Sequence, residues 1–169
     1  MKKTQCSFII VLYISVFLAG CSKSVITNGR TNVTKEMDKL ISDYIIEQYK
    51  GKYPPSDKQF EVHKVYGTEK KNDNLTVYFY SLFGTYNLST KTEDQGGHSL
   101  PAFIKLKRHG SSYSVVEYIE PEDGDDNGES LKRMFPRKYV KQAGNDQGNI
   151  EKLDLQMKKK VEQWLAENK

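Results

Sequence analysis

The first periodic stretch of the chain places an apolar residue every three or four positions, which is the spacing of an amphipathic helix. It runs from Met37 to Gln48. Thr34 stands before it as a candidate N-cap, and Gly51 follows it as a stop signal. The apolar face consists of Met37, Leu40, Ile41, Tyr44 and Ile45. The pattern therefore predicts an N-terminal helix.

From Gln59 onward apolar and polar residues alternate, with the two-residue period of β-strands. A first strand is predicted to reach about Thr68, and residues 75–86 form the strongest candidate strand. A second pair of strands is predicted over 102–107 and 113–119. Between the pairs, the polar segment 87–99 predicts a long loop or a mobile flap. The alternation thus predicts a four-stranded antiparallel sheet of two hairpins.

Helical spacing returns in the last third of the chain. Ser130 is a candidate cap for a short helix that ends near Phe135, and Pro136 is well placed to open another that Gly144 would end. The last helix is marked by an apolar stripe made of Ile150, Leu153, Met157, Val161, Trp164 and Leu165. A helix, a sheet and further helices predict an α+β fold in which helices cover a sheet face. This order resembles cystatin-like or related helix-on-sheet domains, a topological resemblance that implies no activity.

Residues 1–20 have the three parts of an export signal: a basic start, an apolar stretch and small residues before a cut. Lys2 and Lys3 supply the positive charge, and the apolar stretch covers 8–18. That stretch is about half of the ~20 residues that span a bilayer core. A cleaved signal peptide is therefore favoured over a permanent transmembrane helix.

Leu18-Ala19-Gly20-Cys21, at the end of this signal, resembles the lipobox of bacterial lipoproteins. The resemblance implies that the Cys21 thiol receives a diacylglyceryl group, that cleavage makes Cys21 the first mature residue, and that the protein is anchored on the extracytoplasmic face of the cell membrane. The alternative is a cleaved signal with a coincidental cysteine. We expect 1–20 to be the signal peptide, 21–33 a flexible tether and 34–169 a single α+β domain.

Cysteine usage and charge exclude several classes of protein. The one other cysteine, Cys6, lies in the signal, so a mature chain acylated on Cys21 has no thiol for a disulfide, a zinc site or a nucleophile. The formal charge of +4 falls to about +2 without Lys2 and Lys3, which argues against nucleic-acid binding. The sharpest basic run, 158–160, predicts a solvated helix face or, alternatively, contact with an anionic membrane or wall polymer.

An acidic turn provides a weak candidate for a calcium site. Asp123, Asp125 and Asn127 place oxygen side chains at alternating positions, as in the first half of a calcium-binding loop. The twelfth position is Met134, where a bidentate glutamate belongs. The alternative is an exposed acidic turn before a helix. We predict no cofactor, and no metal site other than this weak calcium candidate.

Aromatic residues on both faces of the predicted strands suggest a ligand-binding platform. Tyr78, Tyr80 and Tyr118 are the candidates, since rings on a sheet can stack a sugar, a peptide or a partner. The alternative is that one face packs the core and the other lies under a helix. The histidines His63, His98 and His109 lack metal-ligand spacing, and no nucleophile motif accompanies them.

A quarter of the chain, within 100–139, resembles uncharacterised secreted or lipoprotein domains of Gram-positive bacteria that accompany membrane metallopeptidase sensors. The resemblance rests on LPAFIK (100–105), YSVVEY (113–118), EP (120–121) and SLKRMFP (130–136). The zinc motif of the metallopeptidase is missing, so the resemblance implies a surface sensing or accessory role and no protease activity. We therefore expect a non-enzymatic domain that binds an unknown protein or envelope ligand. The alternative is a small cell-envelope hydrolase acting on wall material.

Overall fold

Five strands and four helices make up the described part of the chain, residues 23–148 and 150–168, in a computed structural model. The strands are β1 Val25–Asn28, β2 Lys58–Lys71, β3 Asn74–Tyr86, β4 Asp94–His109 and β5 Ser112–Ile119. The helices are α1 Lys35–Gln48, α2 Asn127–Met134, α3 Arg137–Asp146 and α4 Glu151–Glu167, with a 3-10 turn at Gly124–Asp126 before α2. The predicted signal peptide and Cys21 lie outside the described residues.

The strands form one antiparallel sheet in the order β1-β2-β3-β4-β5. β2 and β3 make a long hairpin whose turn contains Asn72, a residue with a positive φ of 54° that asparagine tolerates well. A bulge between Val65 and Gly67 interrupts the register of this hairpin. The α+β class expected from the sequence is confirmed.

Helices cover both faces of the sheet, because both faces of the central strands are apolar. On one face α1 buries Ile41 and Ile45 against Val77 and Phe79 of β3. On the other, α2, α3 and α4 enclose a core that includes Tyr80. The strand predicted over 75–86 matches β3, and Thr34 caps α1 as predicted by accepting a hydrogen bond from the Met37 amide.

The prediction of four strands is wrong, because a fifth strand lies within the predicted tether. Residues Val25 to Asn28 pair with Lys70 to Gly67 of β2, so the first element is β1 and not the helix. The strand is too short to show alternation, and its pairing is long-range. Three consecutive β-branched residues, Val25, Ile26 and Thr27, are the local signal for it.

The predicted loop over 87–99 is also too long, since β4 begins at Asp94. Glycine permits this extension: a Cβ at Gly97 would lie 2.2 Å from the carbonyl oxygen of Phe83. The backbone of β4 thus approaches β3 where a side chain would prevent it. Asp94 and Gln95 are polar, so this part of the strand lacks the alternation of apolar and polar residues that predicts a strand.

Two predicted helix boundaries differ in detail. Ser130 lies inside α2, where its hydroxyl donates to the Asn127 carbonyl and accepts from the Glu122 amide, so it ties the preceding turn to the helix. Helix α3 continues past Gly144 to Asp146. Within 23–148 and 150–168, none of the helices has the length and hydrophobicity needed to cross a bilayer.

Candidate functional site at an open sheet edge

Strand β2 is paired on both sides along only part of its length. β1 pairs with Gly67 to Lys70 and the Gly29 amide donates to the Tyr66 carbonyl, whereas residues 58–65 pair with β3 alone. The Lys160 ammonium of α4 donates to the Glu61 carbonyl at 2.8 Å, so this carbonyl points away from β3. Backbone groups alternate in direction along a strand, and those of Gln59 and His63 therefore share the open side. β2 presents an edge to which another strand could pair.

The open edge lies at the bottom of a polar groove between the two helix layers. Its volume is about 180 Å³. One wall carries Asp38 and Ser42 of α1, and the other carries Gln156 and Lys160 of α4. Both signs of charge line the groove, together with Val62 and His63 of β2.

A buried carboxylate, Glu61, organises the α1 side of this groove. Its side chain is fully buried, at 0% exposure. It accepts hydrogen bonds from the Ser42 hydroxyl at 2.6 Å and the Ser81 hydroxyl at 2.8 Å, and it contacts His63 Nδ1 at 3.1 Å. These partners come from α1, β3 and β2, so Glu61 joins three elements.

His63 links this buried carboxylate to the groove. Its Nε2 lies 3.0 Å from an Asp38 carboxylate oxygen, and Asp38 also pairs with Arg30. Only an imidazole that carries a proton on both nitrogens can donate to Glu61 and Asp38 at once. The resulting chain of contacts runs from Glu61 in the core through His63 to Asp38 at the rim of the groove.

The charge environment stabilises the ionised form of Glu61. Burial alone would raise the pKa of its carboxyl group, but the charge and hydrogen bond of His63 and the hydrogen bonds from Ser42 and Ser81 outweigh it. Together they hold the pKa of Glu61 below its ordinary value. The carboxyl group of Glu61 is therefore held in its ionised form inside the protein.

This arrangement is suited to binding rather than to nucleophilic catalysis. Ser42 donates to Glu61 and not to His63, and both ring nitrogens of His63 contact carboxylates. A serine nucleophile needs a histidine nitrogen that is free to accept its proton. The network instead holds α1 against β2 and fixes the side chains along the groove.

A second polar cluster lies on the α1 face of the sheet, where His98 of β4 pairs with Phe83 of β3. The hydroxyl groups of Tyr49 and Tyr118 donate to Glu120, while the Tyr53 hydroxyl lies 2.9 Å from His98 Nδ1. Burial lowers the pKa of His98, and nearby Glu120 opposes this shift only in part. The ring centroids of Tyr49 and His98 are 4.1 Å apart, so this cluster is part of the packing between α1 and β4.

The three tyrosines predicted as a platform do not lie together. Tyr78 and Tyr80 are buried under the C-terminal helices, at 6% and 1% exposure, and the Tyr78 hydroxyl donates to Glu69. Tyr118 is half-buried on the α1 face, where it packs edge-on against Tyr44. Each of these rings belongs to a packed layer.

The candidate calcium ligands lie in the 3-10 turn and at the start of α2. Asp123 precedes the turn, Asp125 is inside it and Asn127 begins the helix. The Asn127 amide donates to the Glu122 carbonyl. Over the described ranges 23–148 and 150–168, no group of three or more His, Cys, Asp or Glu residues has an arrangement that could hold a metal ion.

Sequence reasoning missed the Glu61 network. The available signal was weak: Glu61, His63 and Val65 share one strand face, and Asp38 and Ser42 are one helical turn apart on α1. Comparisons of the chain with protein-family models, curated proteins and solved structures give no significant match.

Proposed function

We propose that this chain is a lipid-anchored extracytoplasmic domain that binds a partner at the cell envelope and performs no chemistry on it. The lipobox at Leu18-Ala19-Gly20-Cys21 supports the anchor. The helix α1 packed on an antiparallel sheet supports the cystatin-like or related arrangement expected from the sequence. The resemblance of 100–139 to sensor-associated surface domains agrees with a sensing or accessory role.

The open edge of β2 carries the binding proposal. An extended polypeptide can add to such an edge as a further strand, gaining affinity from main-chain hydrogen bonds and specificity from pockets beside them. Here the backbone of Gln59, Glu61 and His63 supplies the edge, and side chains of α1 and α4 line both sides. Lys160 satisfies the Glu61 carbonyl in the free protein, in keeping with the use of lysine to protect exposed edges. We therefore propose an extended peptide segment as the ligand class.

The alternative, a small envelope hydrolase, has less support. It needs two carboxyl groups that face a substrate, one of them able to donate a proton. Asp38 and Glu61 instead share His63 as a common partner, and Glu61 is fully buried.

Gln59→Pro should abolish peptide binding while the domain stays folded. Proline lacks the amide hydrogen that a new strand would accept, and edge strands tolerate it. A photo-cross-linking residue at the groove position Gln156 would report the partner in living cells. We expect one dominant adduct in the otherwise wild-type chain, and at least a tenfold lower yield with Gln59→Pro, about 1.4 kcal/mol of binding free energy.

Gln59→Ala is the matched control, because it removes the same side chain and keeps the amide hydrogen. Its adduct should match that of the wild type. A cross-linker at Leu155, the exposed neighbour of Gln156, shows how much adduct forms without binding in the groove. Equal adducts from 155 and 156, or an adduct unaffected by proline, would reject the edge as the binding site.

Cys21→Ser should remove the chain from its membrane or leave an uncut precursor. Two acyl chains give stable attachment because each buried methylene contributes about 0.8 kcal/mol. Fractionation of cells into membrane and soluble pools, with the size of the product, measures the effect. Cys6→Ser is the control and should fractionate as the wild type does, since residue 6 lies in the predicted signal. An unchanged membrane pool and size for Cys21→Ser would contradict the anchor.

A further inference from the structure

Strand β1 fixes which end of the domain lies beside the proposed anchor. Val25 pairs with Lys70, immediately before the β2–β3 turn. Val25 is four positions after Cys21, a span of at most roughly 14 Å even when fully extended. The tether is therefore much shorter than the dozen residues expected from the sequence, and the end of the sheet that contains the β2–β3 turn is held near the lipid.

That end of the sheet is basic. The β4–β5 turn lies beside the β2–β3 turn, since Asn74 pairs with Lys107 and the Arg108 amide donates to the Asp73 carbonyl. Exposed cations at this end are Lys23, Lys70, Lys71, Lys107 and Arg108. Within 23–148 and 150–168 none of them forms a salt bridge. Asp73 is the exposed acid among them, and Glu69 accepts the Tyr78 hydroxyl.

Exposed apolar side chains stand next to these cations. Val25 and Ile26 of β1 are 61% and 42% exposed, among the most exposed large hydrophobic residues described. A basic rim beside aliphatic side chains matches the boundary between lipid headgroups and acyl chains. The opposite end of the sheet is of mixed charge, with Asp57, Glu93 and Asp94 beside Lys58 and Lys91.

We infer that this basic end docks on anionic phospholipid headgroups of the membrane that carries the anchor, so that the sheet stands upright on the bilayer. The inference rests on the proposed function, because Cys21 must be acylated. β2 extends twelve residues from Lys70 to Lys58, which places its far end roughly 40 Å from the headgroups. The open edge at Gln59 to His63 then faces outward, where a partner can reach it.

Matched labels at the two ends test the orientation. Ser111 lies in the β4–β5 turn and Ser89 in the loop at the opposite end, and both are exposed. The full chain carrying Ser111→Cys or Ser89→Cys is purified from membranes, labelled with a fluorophore and reconstituted in vesicles. The vesicles consist of phosphatidylcholine with or without roughly one third phosphatidylglycerol. They also contain a headgroup-labelled lipid that quenches the fluorophore when the two are close. In anionic vesicles we expect the label at 111 to be quenched at least about tenfold more efficiently than the label at 89.

Charge variants distinguish binding of the basic end to the headgroups from simple attachment through the lipid anchor. Replacing Lys70, Lys71, Lys107 and Arg108 by glutamine should reduce the quenching at 111 to its value in neutral vesicles, since each cation near an anionic surface contributes about fivefold to binding. Replacing Lys91, Lys141, Lys152 and Lys159 by glutamine removes the same charge elsewhere and should leave quenching unchanged. High salt should also reduce the quenching at 111, because it screens the attraction between these cations and the anionic lipids. Quenching at 111 that is equal in neutral and anionic vesicles, or equal at 111 and 89, would overturn the inference.

The unsubstituted chain distinguishes this inference from the anchor itself. With Cys21 acylated and the signal removed, it offers no thiol and stays unlabelled. A chain that does take up label overturns the anchor, and the orientation with it. A chain that stays unlabelled while the two positions are quenched equally overturns the orientation alone.

Discussion

Alanine at position 67 should destabilise the domain by about 3 kcal/mol, the upper range for inserting a methyl group into a closely packed site. A Cβ at Gly67 would lie 1.9 Å from the hydroxyl oxygen of Tyr139 and 2.5 Å from the carbonyl oxygen of Thr27. The tyrosine ring could shift, but the carbonyl is backbone of β1. The new methyl group must therefore displace β1, α3 or both. Urea denaturation followed by circular dichroism measures the loss.

Two further variants identify the cause of that loss. Gly144 lies in α3 with nothing within 4 Å of its potential Cβ, so Gly144→Ala should stabilise the protein by about 0.5–1 kcal/mol. Adding Tyr139→Phe to Gly67→Ala removes the hydroxyl but leaves the Thr27 carbonyl and the ring carbon Cζ, 2.6 Å from the new Cβ, and should restore only part of the stability. A free energy of unfolding for Gly67→Ala within about 0.5 kcal/mol of the wild type would refute this account of β1 packing.

The elements that the sequence predicts best are those with one or both faces buried under a neighbouring layer. The alternation along 75–86 succeeds because both faces of β3 are buried under helices, one under α1 and one under α2 to α4. β1 escapes prediction for the opposite reason: its four residues are mostly exposed, and pairing with β2 rather than burial holds them. Short edge strands carry little of the hydrophobic signal on which such predictions depend.

The candidate site was hidden for a related reason. Sequence patterns treat Glu61 and His63 as solvent-facing breaks in a strand, whereas both are buried and satisfied by residues distant in the chain, including Asp38 and Ser81. The predicted platform failed as a group because Tyr78 and Tyr118 lie on opposite faces of the sheet. Whether a large side chain is exposed depends on which layer covers it, and sequence spacing alone does not specify that layer.

Replacing Glu61 by alanine should cost about 3–5 kcal/mol, the range for removing one partner of a buried ion pair. His63, Ser42 and Ser81 would each lose their acceptor inside the protein, and the imidazole would retain Asp38 alone. Glu61→Gln keeps the volume and one acceptor oxygen, so it should cost less, about 1–3 kcal/mol. Glu117→Ala is the matched strand control, because Glu117 pairs with Lys105 while 39% exposed and should cost at most about 1 kcal/mol.

The pH dependence of the stability difference between the wild type and Glu61→Gln shows how much of it comes from the charge of Glu61 and how much from packing. The pKa of Glu61 in the folded protein lies below the ordinary 4.5 that it regains on unfolding, so ionised Glu61 stabilises the fold above pH 4.5. This contribution falls as the pH drops through the lowered pKa. The gap in unfolding free energy between wild type and Glu61→Gln should therefore narrow below pH 4.5. A gap that does not change from pH 7 to below the lowered pKa would mean that the carboxylate stabilises the fold by its shape alone. In that case the negative charge of Glu61 would not be what holds α1 against the open edge.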